Sequence, residues 1–143
     1  MKVSEIDTPA LLIDREIMLH NLQKMQNYAN AAGVSLRPHT KTHKMPYFAK
    51  LQEGLGAAGI TVAKTGEAEI MAANGLKDIF IANEIVGELK FQRIIALLRA
   101  GINLSFGADS IEQASLIERA FEHSGTKACV LAEIEVGENR SGF

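Results

Sequence analysis

The sequence is poor in features that would place it in several specialised classes of protein. Its 143 residues include a single cysteine, Cys129, so an internal disulfide is excluded. No apolar run approaches the roughly 20 residues that span a bilayer, so we expect no membrane partner. The net charge is only −2, which provides no bulk attraction to nucleic acid. The N-terminal residues 1–5 lack the apolar core of a signal peptide, and a cytoplasmic protein is the simplest interpretation.

The composition is that of an ordinary globular domain. Hydrophobic residues make up 47% of the chain and charged residues 22%. A chain of this length can bury one proper core, and no low-complexity linker interrupts it. We therefore predict a single domain over residues 1–143.

Extended and helical patterns alternate along the whole chain. Strand patterns begin near residues 34, 60, 78, 102 and 128, and the last is predicted to run from Ala128 to Val136. Helical apolar spacing is found between them, with Asp14, Thr65 and Ser110 as predicted N-caps. The predicted helices cover about 15–32, 46–53, 65–74, 88–100 and 111–121. Repeated βα units predict an α/β fold with a parallel sheet and right-handed crossovers.

Periodicity alone does not separate an open, doubly wound sheet from a closed barrel. The fifth predicted strand favours the barrel, because Glu133 and Glu135 alternate with apolar neighbours. The first predicted strand also has one polar face. Polar residues on the inner side suit a barrel whose C-terminal mouth is a binding site.

The most unusual stretch is Arg37–Lys44, which ends the first predicted strand. Side chains alternate between the faces of a strand, so Arg37, His39, Lys41 and His43 are predicted to share one cationic face. One interpretation is an edge strand with a solvated basic face. The alternative makes Lys41 a nucleophilic amine, because desolvation and neighbouring cations both lower an amine pKa.

Two weaker patterns are assigned no ligand. Residues 54–59 have the GxGxxG spacing of a dinucleotide site, but they close a predicted helix rather than open one. His39 and His43 lie four residues apart, which on a strand is about 13 Å and too far to share one ion. We therefore predict no metal site in this segment.

At Arg37–Lys44 the sequence resembles the pyridoxal-phosphate enzymes with an alanine-racemase-like barrel, and among them the D-threonine aldolase and D-serine dehydratase branch. Residues 59–69 and 135–142 agree with this resemblance. It implies an eight-stranded barrel followed by a C-terminal β-domain. It also implies that Lys41 forms the Schiff base, that His39 packs beside the cofactor and that Arg140 reaches the cofactor's phenolic oxygen. A divalent metal is implied on ligands of the C-terminal domain.

The function implied by the resemblance is a lyase that cleaves D-3-hydroxy amino acids, such as D-threonine, to glycine and an aldehyde. Two alternatives stay open: β-elimination of water as in D-serine dehydratase, and a non-catalytic protein that binds and carries pyridoxal phosphate. The residues do not separate the aldolase from the dehydratase.

The number of predicted strands is too small for a complete barrel. A closed barrel has eight strands, and about five are predicted here, so we expect the N-terminal part of a barrel without the C-terminal β-domain. We expect open strand edges to self-associate, as a homodimer or higher oligomer. In the isolated segment, Lys41 should face solvent and catalysis should be lost.

The assignment of Lys41 predicts a labelling result. In the full-length protein loaded with pyridoxal phosphate, borohydride should attach the cofactor to Lys41. The Lys41→Ala variant should lose the visible absorbance of the bound cofactor and the activity, whereas Lys44→Ala should keep both. Peptide mapping that finds the label on Lys44 or Lys64 would show that the assignment is wrong.

Overall fold

The computed structural model describes residues 2–143 as an alternation of helices and parallel strands. The α-helices are α1 (Arg15–Ala31), α2 (Pro46–Gly54), α3 (Thr65–Ala73), α4 (Glu88–Arg99) and α5 (Ile111–Phe121). The strands are β1 (Ile60–Val62), β2 (Asp78–Glu84), β3 (Asn103–Ala108) and β4 (Cys129–Ala132), with short 3-10 turns at Val3–Glu5 and Thr40–Thr42. Over the described residues, none of these helices combines the length and apolar character needed to cross a membrane.

The sheet has the order β1-β2-β3-β4, and every neighbouring pair is parallel. This confirms the predicted βα repeat. A doubly wound sheet would reverse its strand order at a switch point. No reversal occurs among the four described strands, so the sequential order is the one expected of a barrel.

The helices cover one face of the sheet. Ile79 and Ile81 of β2 are fully buried, and their partners across the ladder, Leu104 and Phe106 of β3, are buried with them. Alternate residues such as Phe80 are only half-buried. The buried face packs against α3, α4 and α5, whose largest fully buried side chains are Met71, Phe91, Ile94 and Ile95. Each such side chain contributes about 1.5–3 kcal/mol when it is fully buried.

Two of the three predicted helix caps are confirmed. The Asp14 carboxylate accepts hydrogen bonds from the backbone N–H groups of Glu16 and Ile17, at 2.9 and 3.0 Å. The Ser110 hydroxyl accepts from the N–H of Gln113 at 3.2 Å. The prediction for Thr65 is wrong, because Thr65 is already helical and Lys64 occupies the N-cap position.

The first predicted strand is not a strand of the sheet. Residues 34–38 belong to no helix or strand, and the segment joins β1 through one isolated parallel bridge between His39 and Thr61. Pro38 has no N–H to donate, and its carbonyl accepts from Thr61 at 2.8 Å. From Thr40 the chain turns into the 3-10 helix. The β alternation therefore ends before Lys41.

The fifth predicted strand is shorter than expected. Strand pairing covers Cys129–Ala132, and one further hydrogen bond joins the Glu133 N–H to the Ala108 carbonyl at 2.9 Å. Beyond this point the chain folds back on itself. Phe143 donates its N–H to the Glu133 carbonyl at 3.0 Å and accepts from the Glu135 N–H at 3.2 Å.

Gly59 lies at the entry to β1, in the segment with the GxGxxG spacing, and a side chain there would collide with backbone. Its φ is +138°, and an added Cβ would stand 2.6 Å from the Asp78 carbonyl oxygen. Gly75 also has positive φ, +91°, but nothing lies within 4 Å of its Cβ position. An alanine at Gly59 would therefore introduce both backbone strain and steric overlap, whereas an alanine at Gly75 would introduce backbone strain alone.

We expect Gly75→Ala to cost about 1–2 kcal/mol of unfolding free energy, which is the strain of a left-handed residue with a Cβ. Gly59→Ala should cost about 1–3 kcal/mol more, because the entry to β1 must also shift. Denaturant midpoints of the two variants measure this difference. Equal midpoints would contradict the close approach at Gly59.

Candidate functional site

The turn that carries Lys41 is anchored to β1 by a buried hydroxyl. The Thr40 side chain is completely buried, and its Oγ1 donates a hydrogen bond to the Thr61 carbonyl at 3.1 Å. The His39 Nδ1 accepts from the Lys41 backbone N–H at 3.2 Å and thereby caps the same turn. These two bonds fix the backbone of Lys41 beside the carboxyl end of β1.

A cavity of about 390 Å³ lies next to this turn. It contains all three predicted site residues, Lys41, His39 and Arg140, together with nine others. The others are Ala63, Ala82, Asn83, Glu133, Ile134, Glu135, Val136, Glu138 and Ser141. This volume falls in the range of about 300–1,000 Å³ typical of small-molecule sites. The structure brings these residues together, and their chemical roles stay predictions.

His39 is held as a neutral ring beside the lysine. Burial lowers the pKa of His39, the charge of Lys41 lowers it further, and Glu67 and the Thr61 backbone oppose the shift only in part. Because Nδ1 accepts a hydrogen bond, the ring proton of the neutral form is assigned to Nε2. The cavity is therefore lined by two cations, Lys41 and Arg140, rather than three.

The four cationic residues of the first predicted strand do not share a face, so that prediction is wrong. Arg37 Nη1 forms an ion pair with Asp78 Oδ1 at 2.6 Å, at the amino end of β2. His43 instead packs edge-on against Phe48 of α2, with ring centroids 5.4 Å apart, and its Nδ1 accepts from the Met45 N–H at 3.0 Å. For His43 the difference arises because the 3-10 turn at Thr40–Thr42 ends the β alternation before it.

Lys41 is the one lysine that lines the cavity within residues 2–143. Its two competitors lie elsewhere: Lys44 is exposed with its Nζ 3.8 Å from Glu67 Oε1, and Lys64 is exposed at the start of α3. Lys41 is itself exposed, as expected for the isolated segment and unlike the desolvated amine of a closed barrel. Across residues 2–143, no cluster of three or more His, Cys, Asp or Glu side chains could hold a metal ion.

The segment after β4 contributes three carboxylates to the cavity, those of Glu133, Glu135 and Glu138. Glu133 Oε1 accepts from the Ser141 hydroxyl at 2.7 Å. Glu135 Oε2 accepts from the Arg140 backbone N–H at 3.1 Å, and its Oε1 accepts from the N–H of Gly137. The backbone N–H of Asn139, followed by those of Gly137, Arg140 and Glu138, lowers the pKa of Glu135, which is thus a carboxylate at neutral pH.

Three polar residues of the cavity, Asn83, Glu138 and Ser141, were not singled out from the sequence. Asn83 donates from Nδ2 to the Ala63 carbonyl at 3.2 Å and so joins the ends of β1 and β2. Ser141 binds Glu133 and lies one residue after Arg140. Asn83 directly follows the apolar run of β2, and a polar residue at the carboxyl end of a parallel strand is a signal that could have identified it.

Comparison with known proteins assigns the chain to a family. Residues 13–143 match the family described as "Alanine racemase, N-terminal domain". The chain belongs to this family. Its α/β fold is that of the N-terminal part of the TIM-type barrel of alanine racemase-like structures.

The chain is similar to curated proteins along nearly all of its length. It is 38% identical over 140 residues to a D-threonine aldolase from Arthrobacter sp, covering 98% of the chain and 37% of that protein. It is 35% identical over 143 residues to a 3-hydroxy-D-aspartate aldolase from Paracoccus denitrificans, covering 99% of the chain and 37% of that protein. The chain thus spans little more than a third of the length of these relatives.

A solved structure shows the same arrangement. The crystal structure of a D-threonine aldolase from Filomicrobium marinum superposes with a TM-score of 0.93 at 37% identity, covering 98% of the chain and 38% of that protein. An alanine racemase from Clostridium difficile superposes with a TM-score of 0.71 at 23% identity and covers 92% of the chain and 35% of that protein, a likeness of fold alone.

The half-buried ring of His43 predicts a pH dependence of stability. Burial lowers the pKa of His43 below its ordinary 6.5. Below pH 6.5 the unfolded state therefore binds more protons than the folded state, so stability rises with pH between the folded pKa and 6.5. The His39 pKa is lowered too and adds to the same slope.

The His43→Asn variant tests this sign. Its side-chain oxygen can still accept from the Met45 N–H, but it does not titrate. We expect denaturant midpoints to fall from pH 7 to pH 5.5 in the parent protein and to fall less steeply in the variant. His20→Asn, on the exposed surface of α1, should keep the parent slope. A variant slope equal to that of the parent would contradict the lowered pKa of the half-buried His43 ring.

Proposed function

We propose that residues 1–143 form the N-terminal part of a pyridoxal-phosphate-binding barrel, and that the protein is a lyase acting on D-3-hydroxy amino acids. The main observation is that Lys41, His39 and Arg140 line one cavity, although Arg140 lies about 100 residues after the other two in the chain. The similarity to a D-threonine aldolase supports cleavage of the Cα–Cβ bond, which would give glycine and an aldehyde.

The chemistry of the cavity fits this cofactor. Lys41 supplies a primary amine that can bond covalently to an aldehyde carbon, on a backbone fixed by Thr40 and His39. Arg140 supplies a guanidinium, which remains charged at all working pH values and can hold an ionised phenolic oxygen. His39, being neutral, adds a flat ring without a further positive charge beside Lys41.

When bound, pyridoxal phosphate supplies an electron sink for the pair released from the substrate. The protein residues would act around it: Lys41 would hold the cofactor through its amine, and Arg140 would stabilise negative charge on the ring oxygen. The divalent metal implied by the resemblance enters no step proposed here, since its ligands are expected outside residues 1–143.

β-Elimination is the second candidate, and one comparison favours it. A D-threo-3-hydroxyaspartate dehydratase from Delftia sp. is 37% identical to the chain over 137 residues, covering 96% of the chain and 36% of that protein, nearly as similar as the aldolase. β-Elimination of water from D-serine, followed by uptake of water as the resulting imine is hydrolysed, would give pyruvate and ammonia in place of glycine and an aldehyde.

The self-association and the cytoplasmic location predicted above also stay proposals. Self-association is supported by β4, whose four residues are all exposed and include Val130 and Leu131. Strands with an unpaired edge are templates for pairing with another chain.

Product analysis of the full-length protein tests the proposed reaction. With D-threonine and added pyridoxal phosphate, we expect equal amounts of glycine and acetaldehyde, and with L-threonine only the free-cofactor background. Lys41→Ala should reduce turnover to that background, while Lys44→Ala serves as the matched control. Pyruvate and ammonia from D-serine, without glycine from D-threonine, would favour the dehydratase, and saturable cofactor binding with no turnover would favour a carrier.

A further inference from the structure

We propose that the Glu135 carboxylate is a positioning group that orders the segment Gly137–Arg140 and thereby holds Arg140 at the cavity. The role in ordering the segment stands on the structure alone. The consequence for cofactor binding rests on the function proposed above.

The oxygens of Glu135 are bound by its own chain. Oε1 accepts from the Gly137 N–H and Oε2 accepts from the Arg140 N–H at 3.1 Å. Among the described residues, Glu135 forms no ion pair with a lysine, arginine or histidine. Convergent backbone N–H groups form an anion-binding concavity, and here the anion is the preceding glutamate.

The segment has little else to order it. Gly137 has φ of +122°, which glycine adopts readily, and Asn139 has φ of +51°, which is uncommon for a residue with a side chain. Residues 136–140 are all exposed and contribute no buried apolar side chain. Because fixing the backbone costs about 1–2 kcal/mol per residue, the segment needs a specific stabilising interaction. Hydrogen bonds to a carboxylate are about twice as strong as those between neutral groups.

The two ends of the loop are held together by backbone contacts. Phe143 is hydrogen-bonded to both Glu133 and Glu135, and Gly142 passes so close that an added Cβ would stand 2.6 Å from the Ile134 carbonyl carbon. The loop is thus anchored at its base by backbone contacts and internally by the Glu135 carboxylate. Arg140 is the residue whose own N–H binds that carboxylate, so Glu135 sets where its side chain begins.

Glu135 also lines the cavity, which raises a second interpretation of its role. It could act directly on a ligand through its charge. The two roles differ in their dependence on Arg140: a positioning group has no effect on the ligand once Arg140 is removed, whereas a direct contact keeps its effect. Double-mutant cycles measure this dependence.

The first experiment needs no cofactor. Amide hydrogen exchange is measured in the ligand-free, full-length protein, its Glu135→Gln variant and its Glu138→Gln variant, with rates corrected for intrinsic exchange. Glu138 is the matched control, because its carboxylate accepts no hydrogen bond among the described residues and the same charge is lost. We expect Glu135→Gln to speed exchange of the Gly137 and Arg140 amides at least about tenfold, and Glu138→Gln to leave both within about twofold. Unchanged exchange in Glu135→Gln would overturn the proposal.

A shorter carboxylate provides a second variant if Glu135→Gln fails to fold. In Glu135→Asp the side chain still reaches the N–H two residues on, as in an Asx-turn, but not that of Arg140. We expect protection to persist at Gly137 and to fall at Arg140. Loss of protection at neither amide would count against the carboxylate as the ordering group.

The second experiment measures pyridoxal phosphate affinity by equilibrium dialysis in a double-mutant cycle. Glu135→Gln should weaken binding in the parent protein and have no further effect in an Arg140→Ala background. Equal effects in both backgrounds would overturn positioning in favour of direct contact. If the parent protein binds no pyridoxal phosphate, the proposed function fails, and the exchange experiment still decides whether Glu135 orders the segment.

Discussion

The hydrogen bond from the Thr40 hydroxyl to the Thr61 carbonyl is the interaction on which the candidate site depends. Both residues are buried, and a buried carbonyl left without a donor would cost about 1–3 kcal/mol. Backbone pairing between the extended segment and β1 is reduced to one bridge at His39. Elsewhere in the sheet a ladder of backbone bonds holds neighbouring segments together, and here a side-chain hydrogen bond contributes to holding the segment on β1. It fixes the turn in which Lys41 is the central residue.

The site is assembled at one edge of the sheet because the strands are parallel. The carboxyl ends of β1, β2 and β4 lie at the same edge, so the segments that follow them meet there. Asn83 joins two of these ends, and Glu133 and Glu135 come from the third. The helices, on the other face, supply the packed core that makes this edge rigid. The core lies on one face of the sheet and the site lies at the carboxyl ends of the strands. Polar residues are tolerated at the site because they do not enter the core.

Local features of the sequence were sufficient to predict the helices. Asp14 and Ser110 are caps that act within three residues, and Phe91, Ile94 and Ile95 follow the period of a helix with one buried face. Thr65 was misassigned as a cap because Glu67 competes for the same region, with its carboxylate bound to the Ala63 N–H at 2.8 Å. Side chains that bind nearby backbone groups allow several local solutions, and propensity does not rank them.

The extended segments were harder to predict, because side chains there also compete for nearby backbone groups. Alternation of apolar and polar residues indicates a strand only while backbone pairing continues. Pro38 removes a donor and the His39 ring captures the Lys41 N–H, so the pattern continues in the sequence after the strand conformation has ended. At the other end of the chain, pairing stops at Glu133 because the chain folds back on Phe143.

The sequence by itself determined the order of helices and parallel strands and the family, because these depend on short-range patterns and on one distinctive motif. That motif also predicts Lys41, rather than Lys44 or Lys64, as the reactive amine. Only the tertiary structure decided that Arg37 pairs with Asp78, that His43 packs on α2 and that Glu135 binds the segment before Arg140. Each of these contacts depends on the dihedral angles of a turn and on the packing of elements that are distant in the chain. A one-residue change in the course of a turn redirects every side chain that follows it.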